Sequence, residues 1–317
     1  MENPTKPSSK QALIAGRLAL IGVCAVALVE TALHFVFRDR APTKQQWHEV
    51  SSRIAALYQR GDLVVVAPSW GEPMARETLG DSIMPLSAVA RAGDDAFARV
   101  LEVGILGQKR TEFSQWPALR HETFGKFELS IRHNPSWQQV RFDAVEHVDQ
   151  ASLTVSMQRP NGEEPCQFSD TAPMRAGNLG GDPTSPRSRF SCPGGGIHWV
   201  GVTIIDDEQY RPRRCIWAPS STLGSVVLRF RQVPFGTRLV GHAGAPWLMV
   251  RDGVGPPIAV TATTAGGVIG AIGAKDTDGW IRFEWNTDRL QNSVSDLELR
   301  IAQTPSEQRF CFALEAR

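Results

Sequence analysis

The sequence predicts a mainly β protein, in which a C-terminal antiparallel, jelly-roll-like β-sandwich is preceded by one transmembrane helix and a small α/β element. Three observations carry that expectation. A single long apolar stretch lies near the start; a helix and two apolar strand-like runs follow it; and from Trp116 onward short apolar runs recur between turn residues.

Leu18 to Val29 reads LALIGVCAVALV without a polar break and continues through ETALHFVF to Phe37, with Glu30 and His34 the ionisable interruptions. Roughly 20 predominantly apolar residues span a bilayer core as a helix. Residues 18–37 therefore read as a transmembrane signal anchor behind a cytoplasmic tail, 1–17. Lys6, Lys10 and Arg17 before it are balanced by Arg38, Arg40 and Lys44 after it, so flanking charge does not set the orientation. Cleavage is disfavoured because Glu30-Thr31-Ala32 puts a large acid where a small residue is needed, and Ile21-Gly22-Val23-Cys24 has Val where a lipoprotein signal carries Gly or Ala. Glu30 and His34 are one helical turn apart, on a face able to meet a membrane protein partner.

Cys24 falls within the apolar stretch, which leaves Cys166, Cys192, Cys215 and Cys311 in the body. An even number behind an export-like segment suits two disulfides in an oxidising space, so the body is expected outside the cytoplasm, in the periplasm. Neighbour pairing would join Cys166 to Cys192 and Cys215 to Cys311; four separate buried thiols are the alternative. The first closure would tie down a Gly- and Pro-rich loop, typically for about 2 to 4 kcal/mol.

Residues 43–115 read as the juxtamembrane α/β element. Trp47, Val50, Ile54, Leu57 and Tyr58 recur at helical spacing between Thr43 and Arg60, and Gly61 stops the pattern. Asp62 to Pro68 and Ala98 to Leu106 are strand candidates, with helix-like or looped Glu72 to Leu79 and Met84 to Arg91 between them. That order suggests a parallel pair with a crossover. The residues after Val66 lack the glycine spacing of a phosphate loop.

Residues 116–317 read as the sandwich. Strand candidates are Lys126 to Arg132, Ser152 to Met157, His198 to Ile205, Ser225 to Val233, Arg238 to His242, Pro257 to Thr263, Gly279 to Asn286, Asp296 to Ile301 and Arg309 to Glu315. Alternation sends Ile281, Phe283 and Trp285 inward with Leu297, Leu299 and Ile301, and sends Trp280, Arg282 and Glu284 outward. Only the first ten residues and the loop from Gly177 to Gly196 read as disordered.

Hydrophobic residues make up 42% and charged residues 21%, an ordinary globular balance, and a net charge of +1 without a basic stripe argues against a nucleic-acid partner. Histidines lack metal-ligand spacing and no G-x-S-x-G occurs, so no catalytic residue, metal or cofactor is assigned. Asp276-Thr277-Asp278-Gly279 resembles the start of a calcium loop but reads better as a hairpin turn. Asp206, Asp207 and Glu208 would serve glycan hydrolysis if a second acid faced them, but they read better as a solvated strand-end turn. Nine Trp stand against two Tyr, and Trp199, Trp217, Trp247 and Trp280 sit where loops enter strands. Indole faces beside polar groups suit pyranose rings. His242, Trp247 and Arg251 surround one loop and strand start, and with outward Trp280 they form the candidate ligand-binding set.

The motifs RRCIWAP, LRFRQVPFGTRLVGHAG, DGWIRFEWNT and RFCFALEAR, between Cys215 and Arg317 and just before, resemble galactose-binding-like or carbohydrate-module-like β-sandwiches of bacterial envelope proteins. Trp47, GDLVVVAPSW and ARVLEVGI are similar to α/β pieces that follow the membrane portion of some envelope glycosyltransferases. The resemblance is structural and brings no catalytic residue. It implies a membrane-anchored, non-catalytic protein that binds or organises envelope glycans. The alternatives are a glycan-active hydrolase or esterase using Asp206, Asp207 or Glu208, and a structural subunit of an envelope assembly.

Overall fold

The computed structural model describes residues 9–38, 41–178, 180–253 and 255–317. Helix α1, Ser9–Arg38, begins inside the stretch read as a tail, of which residues 1–8 lie outside the described residues. Its segment Arg17–Phe35 is long and apolar enough to cross a membrane, and none of it is buried against the protein.

The chain then forms two compact units. In the first, α2 (Lys44–Leu57) starts at Thr43, whose hydroxyl accepts from the Gln46 amide while the Gln46 side chain accepts from the Thr43 N–H, a reciprocal cap. Its buried face of Trp47, Val50, Ile54 and Leu57 is the one the helical spacing marks, and Trp47 packs edge-on to Phe127 at 4.7 Å. Strand β1 (Leu63–Ala67) is fully buried, and α3 (Glu72–Leu79) follows after a turn at Ser69–Gly71. The short α4 (Leu86–Val89) comes next, then β2 (Arg99–Ile105), β3 (Ala118–Phe124) and β4 (Phe127–His133).

The four strands form one sheet in the order β1-β2-β4-β3. An ion pair between Asp62 and Arg99 at 2.8 Å joins the starts of β1 and β2, while Gly71 lies against Ile105 at the far ends, so this pair runs parallel. Buried Glu102 pairs with Arg132 of β4 at 3.1 Å. The strand expected within the sandwich at Lys126 to Arg132 is thus part of this first sheet. Residues 100–133 cluster with the first unit, and 84–99 with the second. The boundary expected at residue 116 falls within the first of these clusters, just before β3, which is almost wholly exposed and lacks an apolar pattern.

The second unit holds β5 (Phe142–Asp143), β6 (Leu153–Arg159), β7 (Gly162–Pro165), β8 (Gln167–Ser169), β9 (Arg189–Ser191), β10 (Trp199–Asp206), β11 (Pro212–Trp217), β12 (Ser225–Pro234) and β13 (Arg238–Gly244). Helix α5 (Trp247–Asp252) precedes β14 (Ile258–Thr264), β15 (Gly267–Ala274), β16 (Ile281–Asn286), β17 (Val294–Ile301) and β18 (Cys311–Ala316). One sheet runs β16-β13-β18-β11-β10-β9-β8, with β5 on β18; the other runs β15-β14-β17-β12-β6-β7. Neighbouring strands in both pair antiparallel, as in Leu228↔Leu299 and Gly241↔Leu314.

Alternation explains why the sheets stack. Val226, Leu228 and Phe230 of β12 and Leu297, Leu299 and Ile301 of β17 face Leu239, Phe312 and Leu314 within one buried cluster. Each such side chain contributes roughly 1.5–3 kcal/mol by leaving water. Trp285 is buried in that cluster, with Ile281 and Phe283 packed against it, and Glu284 lies outside.

Two disulfides close the unit. Cys166–Cys192 spans 26 residues across the β8–β9 hairpin, and Cys215–Cys311 links neighbouring strands β11 and β18 across 96. The loop Gly177 to Gly196, read as disordered, contains β9 and an Asn178 N–H to Asp182 carbonyl bond of 2.9 Å, and its Ser185 forms an isolated bridge with Arg175 just before it; Leu179 in it lies outside the described residues.

Candidate functional site

The β10–β11 hairpin turn organises one end of the sandwich. Buried Asp207 accepts from the Gln209 N–H at 2.8 Å and the Arg211 N–H at 2.9 Å, and its second oxygen takes the Arg213 guanidinium at 2.8 Å. This fixes the turn so that Tyr210 sits at φ +57° with 68% of its surface exposed. A non-glycine residue in that region is strained, and strain of this kind collects at functional positions. The Tyr210 ring lies 5.1 Å from the Trp247 ring, and the Arg251 guanidinium is 5.3 Å over the same indole.

Trp247 is held by α5, which ends at left-handed Gly253 with a Gly253 N–H to Met249 carbonyl bond of 2.8 Å. The Leu248 N–H donates to the Gly180 carbonyl at 3.0 Å. Gly180 itself abuts the indole edge at φ +73°, where a side chain would collide with Trp247 Nε1. That Nε1 is buried without a hydrogen-bond partner. Arg309 ties the surrounding loops together through Asp182 and the Met249 sulfur. The result is an exposed aromatic surface bordered by Arg251 and by Asp252, which is paired with it at 2.9 Å. Such a surface offers an apolar face to a ring and both donors and acceptors to hydroxyls.

His242 and Trp280 lie elsewhere. Their rings stack 6.4 Å apart, with Arg213 5.9 Å from the Trp280 ring. The Trp280 indole N–H donates to the Ala92 carbonyl at 2.8 Å, and a side chain at Gly93 would meet the His242 ring, so the segment Ala92–Asp95 lies across both. Beneath it Asp95 receives Arg282 at 3.0 Å, and Arg317 donates to the Asp95 carbonyl at 2.8 Å. Burial lowers the His242 imidazole to about 4; Arg282, Arg213 and Arg317 act in the same direction, and Asp95 opposes them. His242 is thereby a neutral packed ring at ordinary pH.

The four residues of the expected set therefore separate into Trp247 with Arg251 and His242 with Trp280. The hairpin connects the two groups, since Glu208 accepts the Trp280 backbone N–H at 3.0 Å two residues before Tyr210. Trp247 and Arg251 stand on a helix, where the sequence reading had a loop and strand start. Trp199 and Trp217 are buried against each other at 5.6 Å beside the Cys215–Cys311 disulfide, so neither offers an open indole face for a sugar ring to stack on. Tyr210 was missed; its signal was the rarity of tyrosine, two in the chain, at a polar hairpin tip. Asp276 and Asp278 form a single 3-10 turn in which the Asp278 carboxylate accepts from the Lys275 N–H at 2.9 Å, a turn-capping role. Among the described residues no group of three His, Cys, Asp or Glu side chains could hold a metal ion.

No known protein family and no curated protein matches this sequence. Solved structures do resemble it. The CBM51-2 and INT domains of Clostridium perfringens ZmpB align over 56% of this chain and 40% of theirs, at 9% identity and a TM-score of 0.28. TmCBM61, solved with β-1,4-galactotriose, aligns over 37% of this chain and 82% of its own, at 13% identity and a TM-score of 0.25. The family 11 carbohydrate-binding module of Clostridium thermocellum, solved with a β-1,3-1,4-mixed-linked tetrasaccharide, aligns over 39% and 91%, at 11% identity and a TM-score of 0.23. The chain spans less than half of the first of these structures. Similarity this low gives no residue a role.

Proposed function

We propose that this chain is a membrane-anchored, extracytoplasmic protein that binds envelope glycans through the Tyr210–Trp247 surface without transforming them. The observation that carries the reading is the exposed Tyr210 ring, held in a strained conformation by buried Asp207 and set against Trp247 and Arg251. An exposed aromatic that the fold fixes so firmly loses little conformational freedom when a sugar ring stacks on it. Helix α1 supports the anchor, and the two disulfides support a body in an oxidising periplasm. Glu30 and His34 on α1 leave a polar site for a membrane protein partner.

The hydrolase reading has less support. Asp207 and Glu208 already accept the hydrogen bonds that shape the turn, which leaves Asp206 without a companion acid from its own cluster. The full chain in nanodiscs, applied to an array of bacterial glycans, tests the proposal. Binding to at least one glycan, weakened roughly ten-fold by Tyr210→Ala, is expected. Absence of binding to every glycan, or equal binding by the Tyr210→Ala/Trp247→Ala variant, would overturn it.

A further inference from the structure

A second polar site lies beside the Cys166–Cys192 disulfide. Arg175, Ser185, Arg189, Ser191, His198 and Trp199 line a pocket of about 90 Å³, together with Cys192 and two glycines. A water takes up about 30 Å³ in the liquid, so the pocket has room for roughly three waters or a small polyatomic group. Its glycines, Gly195 and Gly196, adopt φ of +63° and +58° and have open space where side chains would project.

The charge of this pocket is one-sided. Arg189 is 8% exposed, yet among the described residues it forms no ion pair; its guanidinium donates only to the Pro186 carbonyl. Arg175 likewise has no carboxylate partner among the described residues, and no Asp or Glu lines the cavity. Buried arginine is normally paired, because an uncompensated charge out of water is costly. His198, 5% exposed, also lines the pocket. Its Nε2 lies 2.8 Å from the Glu307 carboxylate, which leaves Nδ1 buried without a partner.

Two guanidiniums with planar forks and two serine hydroxyls around one small cavity lack a single component, a negative charge of matching size. We propose that this pocket binds an oxyanion group, the carboxylate of a uronic acid or a phosphate or sulfate. Arg175 and Arg189 would take its oxygens, and Ser185 and Ser191 would donate to it. None of its lining residues belongs to the aromatic surface; an acidic glycan is one source of the group and the free inorganic ion another.

Thermal unfolding of the full chain in nanodiscs, titrated with sodium phosphate, sodium sulfate, glucuronate and glucose against sodium chloride of equal ionic strength, tests this. A saturable rise in melting temperature with at least one oxyanion, and none with glucose or chloride, is expected. A glucuronate response stronger than the inorganic ones identifies the glycan source, and the reverse identifies the free ion. Arg175→Gln, at an exposed position, should weaken the response roughly ten-fold. Arg189→Met should abolish it while melting no lower than wild type in chloride, since it removes an unpaired buried charge. The response should persist in Tyr210→Ala, which separates this site from the aromatic one. An identical rise with chloride, or an unaltered oxyanion response in both arginine variants, would overturn the proposal whatever the glycan array shows.

Discussion

The Trp280 indole N–H donates to the Ala92 carbonyl at 2.8 Å, joining the edge of β16 to a segment nearly two hundred residues earlier in the chain. A tryptophan that alternation turns outward is thus covered by the protein's own backbone rather than left for a ligand. Trp280→Ala should cost about 2–3 kcal/mol, the sum of lost packing and an unsatisfied Ala92 carbonyl. Chemical denaturation read by far-UV circular dichroism measures this, and glycan binding per folded molecule should stay at the wild-type level.

The same segment makes His242 a source of acid sensitivity. Its folded value, about 4, lies below the ordinary 6.5, so protonation favours the unfolded chain. Stability from this residue is complete above pH 6.5 and is lost as pH falls from there toward 4. The full loss is about 3 kcal/mol, at 1.36 kcal/mol per unit. Other groups beside it titrate as well: Asp95 is lowered, where the guanidiniums of Arg317 and Arg282 together outweigh burial, and Glu315 is raised by burial. The quantity to measure is therefore the difference between wild type and His242→Gln. Melting temperatures of the two proteins should run parallel above pH 7 and converge between pH 6 and 4 as the wild type loses stability. Curves that stay parallel across that window would rule out a buried neutral imidazole.

The elements that were legible in the sequence are those whose side chains repeat in register with the backbone. Leu297, Leu299 and Ile301 mark β17, and Trp47, Val50 and Ile54 mark α2. Strands whose apolar pattern is weak were not legible: exposed β3, the short β7 to β9, and β15, whose sequence GVIGAIGA is mostly small residues. β11 escaped because PRRCIW begins with two arginines and proline, although its end is buried. The site was half legible for a related reason. Tryptophan placement points to Trp247, but the value of Tyr210 depends on a turn that Asp207 closes through backbone amides, and the cover over Trp280 comes from residues distant in sequence.

The disulfides should contribute unequally. Cys215–Cys311 closes 96 residues and Cys166–Cys192 closes 26, and loop entropy makes the longer closure worth about 1 kcal/mol more. The Cys215→Ala/Cys311→Ala protein should unfold at lower denaturant than the Cys166→Ala/Cys192→Ala protein by that amount. Cysteine burial adds to the difference in the same direction, since Cys215 and Cys311 are both fully buried with Trp217. In the unreduced wild-type protein dissolved in denaturing detergent, maleimide should modify Cys24 alone, which peptide mass mapping reads directly.

Asp207 separates a scaffold from a catalyst. Its side chain is 1% exposed and holds Arg213 at 2.8 Å, while two backbone amides of the turn donate to its other oxygen. Asp207→Asn keeps the shape but removes the charge, leaving Arg213 buried beside a neutral amide. Arg213 also donates to the Arg91 and Ala92 carbonyls at 3.1 and 3.2 Å, so it cannot swing into solvent without releasing the segment over Trp280. Breaking one partner of a buried pair in this way costs about 3 kcal/mol. The variant should therefore melt well below wild type, and any glycan affinity should fall with the loss of Tyr210 placement, recovering when temperature or an osmolyte restores folding. A hydrolytic role predicts another pattern, a normally stable Asp207→Asn protein whose turnover of a glycan or ester substrate is abolished. Melting curves and product analysis on the same preparation distinguish the two.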